Sequence, residues 1–197
     1  MNEILVLYYS KSGSIKEMAS FIARGINSVD GAQAKIRTVP NVFPEISKQK
    51  PSIPKSGSLY ATLEDLSNCS ALALGSPTRF GNMAAPLKYF IDIATPLWLK
   101  GSLENKPACV FTSSSSLHGG NESTLLSMHI PLFHMGMIVL GLPYSLPELS
   151  TTNSGGTPYG ASRVNTHKNN SSITKEEKNL CIAQGVRLAE ISLKLNK

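Results

Sequence analysis

Of the 197 residues only three are cysteine and one is tryptophan. Cys69, Cys109 and Cys181 are odd in number, widely spaced and set in apolar surroundings, which excludes a disulfide framework and reads as reduced thiols in or near a core. No apolar run approaches the roughly 20 residues that a bilayer-spanning helix needs. Stretches such as Ile138 to Leu142 are far shorter, so no membrane span is expected. The opening residues, Met1-Asn2-Glu3-Ile4-Leu5-Val6, show neither a basic leader nor a small-residue cleavage site, and a cytoplasmic location is the expectation. Blocks of like charge are missing as well; charged residues make up 16% of the chain against 41% apolar, the balance of a globular protein. The net charge of +6 comes from scattered Lys and Arg without a basic run or an aromatic-interleaved basic face. That pattern argues against nucleic acid and leaves a general attraction for anions such as nucleotide phosphates. No metal site is expected.

What the chain has is a rhythm. Ile4-Leu5-Val6-Leu7-Tyr8-Tyr9 is a continuous apolar run of strand length, as a parallel strand buried on both faces requires. After a polar turn, Ile15, Met18, Ala19, Ile22, Ile26 and Val29 recur at helical spacing, with Gly31 as a stop. Further strands are expected at 34–39, 71–75, 108–111 and 137–142. Helices are expected around Leu87 to Ala94 and Leu125 to Phe133, the latter kinked or shortened by Pro131. A last helix opens at Thr174-Lys175-Glu176-Glu177, which has capping-box spacing, and carries Ile182, Val186, Ala189 and Leu193 as its apolar stripe. Alternating strands and helices over 1–197 predict one α/β domain with a doubly wound, five-stranded parallel sheet in the flavodoxin-like order 2-1-3-4-5. Two long irregular loops, 40–59 and 145–172, interrupt it.

In such sheets ligands bind beyond the carboxyl ends of the strands. Three small, polar loops stand there. Ser10-Lys11-Ser12-Gly13-Ser14-Ile15 places hydroxyls and a glycine where a helix starts, a setting suited to a phosphate, yet it is neither a Walker A loop nor a dinucleotide fingerprint. Gly75-Ser76-Pro77-Thr78-Arg79-Phe80-Gly81-Asn82-Met83 follows the third strand, offering close backbone approach, a charge and a flat ring. Thr112-Ser113-Ser114-Ser115-Ser116-Leu117-His118-Gly119-Gly120-Asn121 follows the fourth and is rich in donors. Each alone reads as an ordinary turn; together they favour a phosphorylated planar cofactor.

The chain resembles the WrbA-type NAD(P)H:quinone oxidoreductases, the tryptophan-repressor-binding protein family. The resemblance runs from Val6-Leu7-Tyr8-Tyr9-Ser10 through Pro77 to Met83 and Leu97-Trp98 to Gly155-Gly156-Thr157-Pro158-Tyr159-Gly160-Ala161. It implies FMN held at Ser10 to Ile15, at Pro77 to Asn82 and at Ser113 to Ser116 with Gly119, and His134 beside the flavin. It further implies catalytic roles for His134 and Arg79, and a substrate pocket formed with Ser12, Trp98 and Tyr144 in a homotetramer whose pockets draw on more than one chain. The implied reaction is two-electron reduction of quinones to hydroquinones, with NAD(P)H as donor and ping-pong hydride transfer. An aromatic residue common in the family at Ser12 is absent here, and Met135 replaces a frequent second histidine. A flavodoxin-type electron carrier and a flavin reductase with another acceptor remain the alternatives.

Overall fold

The structure is a computed structural model that describes residues 1–42, 54, 56–165 and 172–195. Strands β1 (Asn2–Tyr8), β2 (Ala32–Thr38), β3 (Ala71–Pro77) and β4 (Pro107–Ser114) pair in parallel in the order β2-β1-β3-β4, beyond which lies β5 (Ile138–Val139). Helices α1 (Ser14–Asn27), α2 (Leu63–Asn68), α3 (Ala85–Ile93), α4 (Thr95–Leu99), α5 (Asn121–His134), α6 (Glu148–Thr151) and α7 (Lys175–Leu195) complete it, with a sixth strand, β6 (Ala161–Val164). The order 2-1-3-4-5 is the expected one, with a difference at the edge. β5 covers only the start of β4, at Pro107 and Ala108, and β6 covers its end, from Phe111 to Ser114. Two short strands thus share the fifth position. The expected irregular loop 145–172 contains α6 and β6, while 166–171 and most of 40–59 (43–53 and 55) lie outside the described residues.

Side chains alternate across β1. Leu5 and Leu7 enter one core with Leu87, Phe90, Leu125 and Met128, whereas Ile4, Val6 and Tyr8 enter the other with Met18, Ile22, Phe111 and Leu188. Burial on both faces explains why β1, β3 and β4 read as unbroken apolar runs. Cys69, Cys109 and Cys181 are all buried and free. Burial pushes the Cys109 thiol up to about 12, well above its ordinary value.

Two helices differ from the sequence expectation. α5 runs through Pro131 without a break and ends three residues later at His134; Pro131 removes one N–H from the helix, while its carbonyl accepts from Met135 N–H at 3.1 Å. α7 begins with the expected capping box, Thr174 and Glu177 exchanging bonds of 3.0 and 3.2 Å. Its buried face, however, is Glu177, Leu180, Cys181, Gln184, Gly185, Leu188, Ala189 and Ser192, rotated from the expected stripe. The cause lies in close helix packing. Gly185 backs onto the Ile22 carbonyl of α1, and Gly25 of α1 onto the Ile182 carbonyl, with no room for a Cβ at either. The polar residues on this face are satisfied: Gln184 accepts from Ala161 N–H at 2.6 Å and donates to the Val110 carbonyl at 2.8 Å.

Candidate functional site

The parallel strands bring the three loops to one edge, and the ladder continues past the strand ends to join them. Tyr9 N–H donates to the Gly75 carbonyl at 3.0 Å, Thr78 N–H to Ser113 at 2.9 Å and Asn165 N–H to Ser114 at 2.8 Å. The loops after β1, β3, β4 and β6 are therefore tied in series.

The first loop turns into α1 through Gly13, whose φ of 98° is left-handed and whose Cβ position is open space. Gly13 N–H is held by Ser10 Oγ at 3.1 Å. No side chain caps α1, so the N–H groups of its first turn and the positive end of its dipole face outward beside the exposed Lys11 and Ser12. Ser14 is buried, and its Oγ accepts a bond from Asn165 Nδ2 at 3.0 Å. One turn along, Glu17 pairs with the buried Arg163 at 2.6 Å.

In the second loop Arg79 and Asn82 exchange backbone bonds of 2.7 and 3.0 Å around Phe80 and Gly81, whose φ values are 53° and 77°. Positive φ at both central positions defines the tight turn of β-hairpins, and a phenylalanine in it is strained. The result is a flat ring held fully in solvent. Arg79 bends back to donate to the Thr78 carbonyl at 2.7 Å. A groove of about 500 Å³ opens alongside, lined by Tyr9, Arg79, Asn82, Met83, Ala84, Ala85, Pro86 and Lys88.

The third loop closes on itself, with Ser114 Oγ and Gly119 N–H both donating to the Ser116 carbonyl, at 2.7 and 3.1 Å. It meets the second glycine to glycine: a Cβ on Gly120 would lie 3.0 Å from Gly81 Cα. Thr124 Oγ1 donates to Thr78 Oγ1 at 2.7 Å across the same seam. The adjacent Asn121 is buried at the start of α5, and its Oδ1 has no hydrogen-bond partner.

The residues present fit a phosphorylated planar ligand. An uncapped helix start supplies donors for an anion, the exposed Phe80 a flat surface, and the orphaned Asn121 oxygen an acceptor in want of a donor.

His134 and Trp98 stand apart. α5 begins at the loops and ends at His134, beside Met135 and Gly136, whose carbonyl meets Asn105 just before β4 starts. At 1.5 Å per residue the helix carries His134 about 20 Å from Asn121, toward the opposite edge of the sheet. Trp98 lies beyond the far end of α3, and Tyr144 is exposed on the connection after β5. Among the described residues none of the three bonds to the loops. Ser12 does belong to the loop cluster. Asn121 closes the third loop as read from the sequence, whereas Thr124, Arg163 and Asn165 were missed; the last two fell within a stretch read as irregular, although it follows directly on the Gly155 to Ala161 motif.

The family model described as NADPH-dependent FMN reductase matches residues 3–148. The chain belongs to this family. It is 40% identical over 207 residues to an NAD(P)H dehydrogenase (quinone) of Syntrophobacter fumaroxidans, covering 99% of each chain. Another NAD(P)H dehydrogenase (quinone), from Acidithiobacillus ferrooxidans, is 40% identical over 198 residues, again with 99% of each covered. Among solved structures, a flavodoxin, WrbA-like protein from Agrobacterium tumefaciens superimposes with a TM-score of 0.69 at 18% identity, covering 98% of this chain and 99% of that one. The FMN reductase model thus spans all three loops, and the structural likeness confirms the flavodoxin-like fold. No helix among the described residues is long and apolar enough to cross a membrane.

Proposed function

We propose that this protein is an FMN-dependent oxidoreductase that reduces quinones to hydroquinones with NAD(P)H. The observation that carries the reading is the convergence of three small, donor-rich loops on one sheet edge beside an uncapped helix start. Membership of the FMN reductase family and the names of relatives at 40% identity support it. Bound FMN supplies the two-electron redox chemistry, and the protein supplies binding, orientation and electrostatics.

Ser10 and Ser12 to Ile15 hold the phosphate, with the first-turn N–H groups of α1 as donors. Thr78, Arg79, Phe80, Gly81 and Asn82 flank the ring system, opposite Ser113 to Ser116 and Gly119. The exposed Arg79 guanidinium stabilises negative charge that develops on a quinone oxygen. A single pocket that admits donor and acceptor in turn gives ping-pong turnover.

His134, Trp98 and Tyr144 complete the pocket from neighbouring subunits of a homotetramer. Exposed apolar residues support an assembly of this kind: Leu126, Ile130 and Phe133 form one stripe on α5, and Tyr89, Ile93, Trp98 and Leu99 are exposed on α3 and α4. The buried, unpaired thiols accord with a cytoplasmic location.

The test is a titration with FMN, FAD and riboflavin followed by anaerobic mixing with NADH or NADPH and then benzoquinone. FMN binds most tightly, and each nucleotide and quinone half-reaction proceeds without a protein partner. Tighter binding of FAD, or no reaction with either nucleotide, refutes the reading.

A further inference from the structure

The end of β6 reaches across to the start of α1 in a two-rung ladder. Arg163 and Asn165, two residues apart, share one face of the extended chain, while Ser14 and Glu17, three apart, share one face of the helix. Asn165 Nδ2 meets Ser14 Oγ at 3.0 Å, and Arg163 Nη1 meets Glu17 Oε2 at 2.6 Å. Asn165 is itself fixed by its backbone N–H, which donates to the Ser114 carbonyl at 2.8 Å. One residue thus joins the loop after β1 to the loop after β4.

A serine hydroxyl has one proton to give and two lone pairs. With an amide N–H filling one lone pair, the Ser14 proton is directed to another acceptor. Arg163 acts in the same sense on the neighbouring rung, by neutralising the one carboxylate in the first turn of α1. Both contacts make this helix start more receptive to negative charge.

We propose that Asn165 is a positioning residue for the phosphate end of the flavin site, which holds Ser14 Oγ as a donor and so selects the phosphorylated flavin over riboflavin. The proposal rests on the flavin reading given above. Asn165 touches Ser14 and acts through it. Arg163 supports the site by keeping the Glu17 charge compensated.

The experiment titrates wild type, Asn165→Ala, Asn165→Asp, Ser14→Ala and the Ser14→Ala/Asn165→Ala double variant with FMN and with riboflavin, following flavin fluorescence. Thermal unfolding of the flavin-free proteins checks the fold. Asn165→Ala weakens FMN about tenfold, the scale of one hydrogen bond with a charged partner, and leaves riboflavin nearly unchanged. Asn165→Asp weakens FMN further, because its carboxylate accepts the Ser14 proton and adds like charge. The double variant loses no more FMN affinity than Ser14→Ala alone, which a merely structural role would not produce. Equal weakening of both flavins by Asn165→Ala, or no weakening of either, overturns the proposal while leaving the flavin reading intact. A wild type that binds riboflavin as well as FMN overturns both.

Discussion

Asn121 and His134 stand at opposite ends of α5, and it is the Asn121 end that meets the loops after β3 and β4. A helix of this length keeps His134 about 20 Å from Asn121. The proposed function assigns His134 to a pocket of another subunit. His134→Ala and the phosphate-loop variant Ser14→Asp are each expected to have lowered quinone reductase activity. Subunits mixed after dissociation should regain activity, because an intact flavin site on one chain then meets an intact His134 on another. Mixtures no more active than the average of the two variants would remove His134 from a shared pocket.

Phe80 holds a left-handed backbone at the tip of the second loop with its ring in solvent, so its side chain gives nothing to the isolated fold and costs it strain. Asparagine tolerates this backbone region far better. Phe80→Asn should raise the stability of the flavin-free protein by about 1 kcal/mol and at the same time weaken flavin binding. Denaturant unfolding and flavin titration measure the two effects separately. A variant less stable than wild type would show that the turn is not strained.

The α1–α7 contact depends on two glycines facing backbone carbonyls. Gly185→Ala must push the helices apart, at a cost of about 1–3 kcal/mol. The midpoint of thermal unfolding should fall accordingly. An unchanged midpoint would mean that the helices separate freely, against the close packing described.

His129 gives stability a pH dependence. Its Nε2 lies 3.1 Å from the Tyr159 carbonyl, which only accepts, so that nitrogen carries the proton in the neutral ring. Burial holds the pKa below the ordinary value of 6.5, the Tyr159 bond offsetting only part of the shift. In acid the unfolded chain therefore takes up the proton more readily than the folded one. Stability should fall as pH drops below about 6.5 and stay level above it, as far as this group is concerned. Denaturation midpoints between about pH 5 and 8 for wild type and His129→Gln check this; equal slopes would contradict it.

The central strands were legible because double-sided burial leaves apolar runs with little ambiguity, and the loops after β1, β3 and β4 were legible because small polar residues crowd after each run. β6 was not. It is four residues long, and its inward side chains include Ser162 and Arg163, satisfied by Gly156 N–H and by Glu17, so no periodicity marks it. The buried face of α7 was misplaced for a related reason: it is set by the close approach at Gly185 and by the bonds of Glu177 and Gln184, none of which raises apolar content. Asn165 followed β6 into obscurity. His134, Trp98 and Tyr144 came from family resemblance alone, and α5 carries His134 away from the loops.

Quinone reduction through FMN is tested most directly by a double-mixing experiment on purified protein with FMN. NADH or NADPH is added without oxygen, the loss of flavin absorbance is followed, and benzoquinone is then supplied. Free nucleotide should reduce the flavin, quinone should reoxidise it in a separate step, and double-reciprocal plots of the steady state should be parallel. Ser12→Tyr should lower the KM for nucleotide with little effect on reoxidation. Failure of both nucleotides to reduce the bound flavin, with reduction achieved only by a partner reductase, would contradict the account and make the protein an electron carrier.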